Sequence, residues 1–244
     1  MTDKDKRGSP IIWNEEKIKN LWDYYSVTSP YNEIYFSKVF GSSIIESFKV
    51  PFNQKISILD FGCGPGYIFE HMKKRGVNWE YTGVDSSSDS INSLIENYNN
   101  YDNFKGAFQN TNELGNKEFD LIIMIEVVEH LTDDVIESIF EQLKPLLKQN
   151  GRILLTTPNN EDLSKSTRYC PNCSTSFHEW QHIRSWSQDS LEAFMNKMGF
   201  ETDFTNITDF SSLTLKRKLI NFLRRVFNGS DYPHLVGSFK KKNS

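Results

Sequence analysis

Apolar positions recur with two periods along this chain, and the period changes from segment to segment. Ile18, Leu21, Trp22 and Tyr25 share one face at helical spacing, with Asn14 as the capping residue, and predict a helix over 14–25 that is broken by Pro30. Ile34, Phe40, Ile44, Ile45 and Phe48 predict a second helix over 33–48. From residue 56 onward, short apolar runs alternate with helical patterns. Strands are expected at 56–61, 79–85, 104–108, 119–125 and 152–156. Helices are expected after the first of these, carrying Ile68, Phe69 and Met72, at 89–98, and at 133–148, where Gly151 is read as the stop. The run at 119–125 is almost unbroken in its apolar character, as for a strand covered on both faces. A helix at 187–198, between Ser187 and Gly199, and a strand at 200–204 extend the alternation. Such alternation builds a parallel sheet with right-handed crossovers, an α/β fold.

Composition narrows the picture only a little. The chain has 244 residues and a net charge of −4, enough for a substantial core and wrong for a general polyanion binder. Residues 1–10 are polar and expected to be disordered, and they lack the apolar stretch of a signal peptide. No apolar run approaches a membrane span, and three cysteines cannot all pair, so a reducing cytoplasm is expected.

The chemistry begins where strand one ends. Asp60-Phe-Gly62-Cys-Gly64-Pro-Gly66 turns from strand to helix, a place where glycines let the backbone approach a ligand and the first helical N–H groups point at it. A dinucleotide fingerprint would need glycine at position 67, which is Tyr67. About 20 residues further on, strand two ends in Asp85, where a carboxylate can accept from both ribose hydroxyls. These residues closely resemble motif I and the second-strand acid of class I S-adenosylmethionine-dependent methyltransferases, over roughly 55–205. The resemblance implies a Rossmann-like, mostly parallel sheet of seven strands with helices on both faces and an antiparallel seventh strand, placed at 234–239. It implies cofactor contacts by Asp60, Gly62, Gly64, Gly66, Asp85 and Ser86. After strand four, Glu126-Val-Val-Glu129-His130 is similar to a segment of the quinone-biosynthesis methyltransferases, which puts Glu126 beside the cofactor. Capping and packing are the simpler roles for Glu129 and His130. The Asn/Asp-Pro-Pro-Tyr signature of base N-methylation is missing, so nucleic acid is not the expected acceptor. The usual acid for the adenine amino group is missing too, and Gln109 and Asn110 stand where it would be.

Past strand five, Cys170, Cys173, His178 and His182 follow the spacing C-x2-C-x4-H-x3-H, which resembles a zinc knuckle within an insertion at 159–186. Residues 182–191 also resemble a methyltransferase segment in which the histidine faces the active site, so His182 is read either as a ligand or as a catalytic base, with His130 as the second candidate base. An N-terminal flap at 11–52, crowded with aromatics, would cement to the methyltransferase body at 53–244 or line its pocket. A basic amphipathic helix at 213–227, within an insertion at 212–229, would be a docked surface helix, an interfacial helix at the membrane face, or a clamp for an anionic acceptor. The expected reaction is methyl transfer to a hydroxyl of a small-molecule, saccharide or lipid-linked acceptor. An RNA methyltransferase and a non-catalytic cofactor-binding protein are the alternatives.

Overall fold

The structure is a computed structural model and describes residues 8–210 and 234–242; the basic segment 213–227 lies outside the described residues. In chain order the elements are β1 (Ser9–Pro10), α1 (Glu15–Val27), α2 (Phe36–Ser47), β2 (Ser57–Phe61), α3 (Tyr67–Lys74), β3 (Glu80–Val84), α4 (Ser88–Tyr98), β4 (Phe104–Phe108) and β5 (Phe119–Ile125). They continue as α5 (Asp133–Leu143), β6 (Leu147–Pro158), β7 (Thr167–Tyr169), β8 (Thr175–His178), α6 (Gln188–Lys197), β9 (Phe200–Thr208) and β10 (His234–Lys241).

Seven strands form one sheet in the order β4-β3-β2-β5-β6-β10-β9. All neighbours are parallel except β10, which runs antiparallel to both β6 and β9. The apolar run of β5 divides by the two-residue period of a strand. Leu121, Ile123 and Ile125 join the core with Ile58, Phe69, Trp79 and α2 on one face. Ile122 and Met124 join Leu59, Phe140, Leu191 and Phe239 on the other. The strand order reverses between β2 and β5, so the crevice at the C-terminal ends of these strands is where such a sheet binds ligands.

Several expectations shift. The helix expected over 133–148 ends at Leu143, and a 3-10 turn at Lys144–Leu146 follows. Pro145 has no N–H to donate, and its ring crowds the preceding turn. Leu147 is therefore already a strand residue paired with Phe119, and Gly151 lies inside β6, not at a helix end. Ser9–Pro10, expected within a disordered tail, pair in parallel with Thr175–Ser176 and form a small second sheet with β7 and β8. Helix α2 contributes Ile44, Ile45 and Phe48 to the main core, while α1 lies over the crevice and keeps its Asn14 cap, which accepts from the Lys17 N–H at 2.9 Å. No described helix is long and apolar enough to cross a membrane.

Candidate active site

The turn after β2 is built for close approach. Gly62 and Gly64 have φ of 78° and 51°, values a side chain resists. A Cβ on Gly62 would lie 2.6 Å from a Val127 methyl, whereas one on Gly64 would meet nothing within 4 Å, because its open side faces the crevice. There a cavity of about 1220 Å³ begins. It is larger than the few hundred to 1,000 Å³ that usually hold one small ligand, so a cofactor and an acceptor fit side by side. Gly62, Gly64, Asp85 and Ser86 line it together with Glu126, His130, Glu161 and His182. Asp85 accepts from the Gly64 and Ser87 N–H groups, each at 2.9 Å, which ties the acid to the glycine turn.

Four of the expected cofactor residues do not reach this cavity. Asp60 is 1% exposed and accepts from the Tyr81 hydroxyl at 2.7 Å, so it braces the turn from below. Gly66 starts α3, and a Cβ there would lie 2.2 Å from Leu94, so it sets helix packing. Gln109 and Asn110 are exposed just past β4. The Asn110 side chain serves as a cap, accepting from the Asn112 N–H and donating to Glu113.

Burial raises the Asp60 carboxyl to about 7, with the Tyr81 hydroxyl partly opposing it. That folded value lies above the ordinary 3.8, so the charged form costs stability that is absent in acid, grows as pH rises from about 4 to about 7, and then levels off. Tyr81→Phe removes the donor that lessens this cost. Its destabilisation should be greater at pH 8.5 than at pH 5.5, reaching about 1–3 kcal/mol in urea denaturation at the higher pH. An equal loss at both would show that Asp60 does not titrate in between.

Glu126, also on the cavity wall, occupies the left-handed region at φ 52°, a strained place for a side chain and one that clusters at functional sites. It accepts from Thr156 at 2.7 Å, and buried Glu129 accepts from Thr157 at 2.9 Å. Burial pushes both carboxyls up. His130 is pushed down to about 3, first by burial and then by the neighbouring His182, so it is a weak base. His182 differs, because its Nδ1 lies 2.5 Å from Glu161 Oε2. Burial opposes the charge on Glu161, but the His178 and His182 rings prevail and bring it down to about 2. A carboxylate that holds Nδ1–H leaves Nε2 as the basic nitrogen.

Sequence reasoning missed Glu161 and Gln181. Glu161 follows the end of β6, and an acid at the C-terminal edge of a buried strand was the signal that could have found it. Gln181 had none. It is fully buried, accepts from Trp22 Nε1 at 3.1 Å and donates to the His130 carbonyl at 2.9 Å, joining α1 to the loop after β5. From the N-terminal segment, Tyr25 packs edge-on against Trp180 at 5.4 Å, and Trp22, Tyr35 and Phe36 line the cavity.

The four knuckle residues do not converge. Cys170 and Cys173 flank the turn between β7 and β8, while β8 carries His178 to the opposite end of the strand. The three steps of β8 from Thr175 to His178, at about 3.3 Å each, carry the histidine roughly 10 Å from that turn, more than the bonds of one metal ion span. Among the described residues, the groups whose ligand atoms converge are Glu161, His178 and His182, and Glu129, His130 and His182, neither with a cysteine.

A parallel sheet with one antiparallel strand inside its edge, and a glycine turn where the strand order reverses, defines the class I S-adenosylmethionine-dependent methyltransferase fold. The chain can be placed further: a family model described as a methyltransferase domain matches residues 32–203, and the chain belongs to that family. The ubiquinone biosynthesis O-methyltransferase of Pelagibacter ubique is 31% identical over 124 residues, 48% of this chain and 50% of that protein. This chain thus spans about half the length of the relatives it matches. Two solved structures share its fold. The 1,6-didemethyltoxoflavin-N1-methyltransferase of Burkholderia thailandensis, with bound 1,6-didemethyltoxoflavin and S-adenosylhomocysteine, has a TM-score of 0.65 and 14% identity over 96% of this chain and 93% of that one. An S-adenosylmethionine-dependent methyltransferase from Clostridium acetobutylicum has a TM-score of 0.59 and 14% identity, over 92% and 98%.

Proposed function

We propose that the protein binds S-adenosylmethionine against Gly62, Gly64, Asp85 and Ser86 and transfers its methyl group to a hydroxyl of a small-molecule acceptor. One observation carries this reading: a single cavity joins the glycine turn and Asp85 to the paired Glu161 and His182. When bound, the cofactor supplies a methyl group activated by its sulfonium charge. The open side of Gly64 fits it, since backbone can approach there without a side chain between. The protein's own work is to hold the acceptor in line and to take its proton. His182 accepts that proton, and Glu161 holds the ring in the tautomer that can. The name of the Pelagibacter ubique relative, an O-methyltransferase, supports a hydroxyl target. A saccharide or lipid-linked acceptor, captured at a membrane face through 213–227, is the second form of this reading, supported by that segment's cationic residues.

Calorimetry should show binding of S-adenosylmethionine and its demethylated product in preference to NAD or ATP. Transfer of tritiated methyl to glycan, lipid, quinol and RNA fractions then finds the acceptor class. Preferential binding of NAD would overturn the reading of the turn, and label in RNA alone would overturn the acceptor class.

A further inference from the structure

His178 is buried, does not line the cavity, and has no part in the chemistry described so far. Its contacts are nevertheless directional. The backbone N–H of His182 points at His178 Nδ1 at 3.2 Å. A nitrogen that accepts a hydrogen bond is unprotonated, so neutral His178 carries its proton on Nε2. That Nε2 is buried and makes no hydrogen bond among the described residues, and the carboxylate oxygen Glu161 Oε1 lies 3.5 Å from it. The second oxygen of the same carboxylate takes the His182 Nδ1–H at 2.5 Å. The two imidazoles stack at 4.6 Å with 19° between their planes, so each faces a different oxygen of one carboxylate.

We propose that His178 is a positioning residue: through Glu161 it fixes the tautomer and orientation of His182, and so makes the β7–β8 hairpin part of the active-site machinery. This rests on the reading of His182 as the base. Glu161 sits in a loop, and a carboxylate held at one oxygen can still rotate about its last side-chain bond. A buried N–H 3.5 Å from the other oxygen opposes that rotation, because turning the carboxylate away would take the nearby acceptor from it. The His182 ring then keeps Nδ1–H toward Glu161 and Nε2 unprotonated. The same contacts argue against a metal on His178. A ligating Nε2 must be bare, which moves the proton to Nδ1, where it would face the His182 N–H head on.

The test needs no acceptor. Protein labelled with 15N in its histidines is examined at neutral pH by long-range proton–nitrogen correlation, which reports which ring nitrogen holds the proton. The expected spectrum has His178 as the Nε2–H form and His182 as a single Nδ1–H form. In His178→Phe and His178→Asn, neither of which can donate to Glu161 from that distance, His182 should collapse to an average of both tautomers. His178→Gln, which can donate to Glu161 and accept from the His182 N–H, should restore the single form. The proposal is overturned if the parent His178 holds its proton on Nδ1, if a stoichiometric transition metal occupies its Nε2, or if His182 is unchanged in both disabling variants. The parent spectrum is decisive even if a variant fails to fold. Failure to bind S-adenosylmethionine on the same samples would defeat the functional reading and leave the tautomer result standing.

Discussion

Replacing His182 with asparagine should lower the methyl-transfer rate by about 10²- to 10⁴-fold, the usual contribution of a positioned general base. Asparagine keeps a short donor toward Glu161 and leaves the neighbouring His130 ring in place, so the fold and the affinity for S-adenosylmethionine should hold. The loss should fall on kcat, because a proton transfer at the acceptor matters only once both substrates are bound. The prediction separates the two histidines of the cavity. His130 is half-buried and held neutral, its ring is packed edge-on against Trp22 at 5.1 Å, and its carbonyl is engaged by Gln181. His130→Asn should therefore disturb packing more than it slows the proton step. A rate unchanged in His182→Asn, measured with a true acceptor, would remove the base from the mechanism and favour an acceptor that ionises without help. Any such acceptor would still need the alignment the cavity provides.

The second large effect is expected at Asp85. Asp85→Ala should weaken S-adenosylmethionine binding by about 10- to 150-fold, equivalent to the roughly 1.5–3 kcal/mol of hydrogen bonds to a charged group. The structure places this loss near the upper end. Beside the ribose contact proposed for it, the carboxylate receives the Gly64 and Ser87 N–H groups and so holds the glycine turn to the start of α4. Asp85→Asn keeps one acceptor oxygen and should fall between parent and alanine. Calorimetry on the three proteins gives the order directly. Equal affinity in all three would mean that the ribose is held elsewhere in the cavity.

Most of the fold is legible in the chain, and particular elements show why. β5 was found at its true ends because Leu121 to Ile125 must be apolar on both faces of a buried strand. Asn14 and Ser187 cap the helices they were assigned to. The errors came where a local signal had two meanings. Gly151 looked like a helix stop, but Pro145 had already ended the helix, and the glycine serves instead where a Cβ would crowd the Phe119 carbonyl at 2.9 Å. The knuckle spacing is a similar case. Cys170, Cys173, His178 and His182 are close in sequence, but the extended strand β8 separates the turn that holds the cysteines from the histidine pair. Proximity along the chain therefore became distance in space.

The division between what the chain states and what the fold decides follows the range of the forces involved. Backbone conformation and side-chain period act over a few residues, so the sequence by itself determined the alternation of strands and helices, the left-handed glycines of the turn and the acid that closes the next strand. Hydrogen-bond partners in the site are chosen across long separations, after burial has removed water as a competitor. Asp60 meets Tyr81 and so braces the turn without touching the cavity, Asn110 spends its amide on a local cap, and Glu161 reaches across to His182. Which residues touch, and therefore which imidazole meets the Glu161 carboxylate, was decided only when the sheet, the flap and the hairpin packed together around the same cavity.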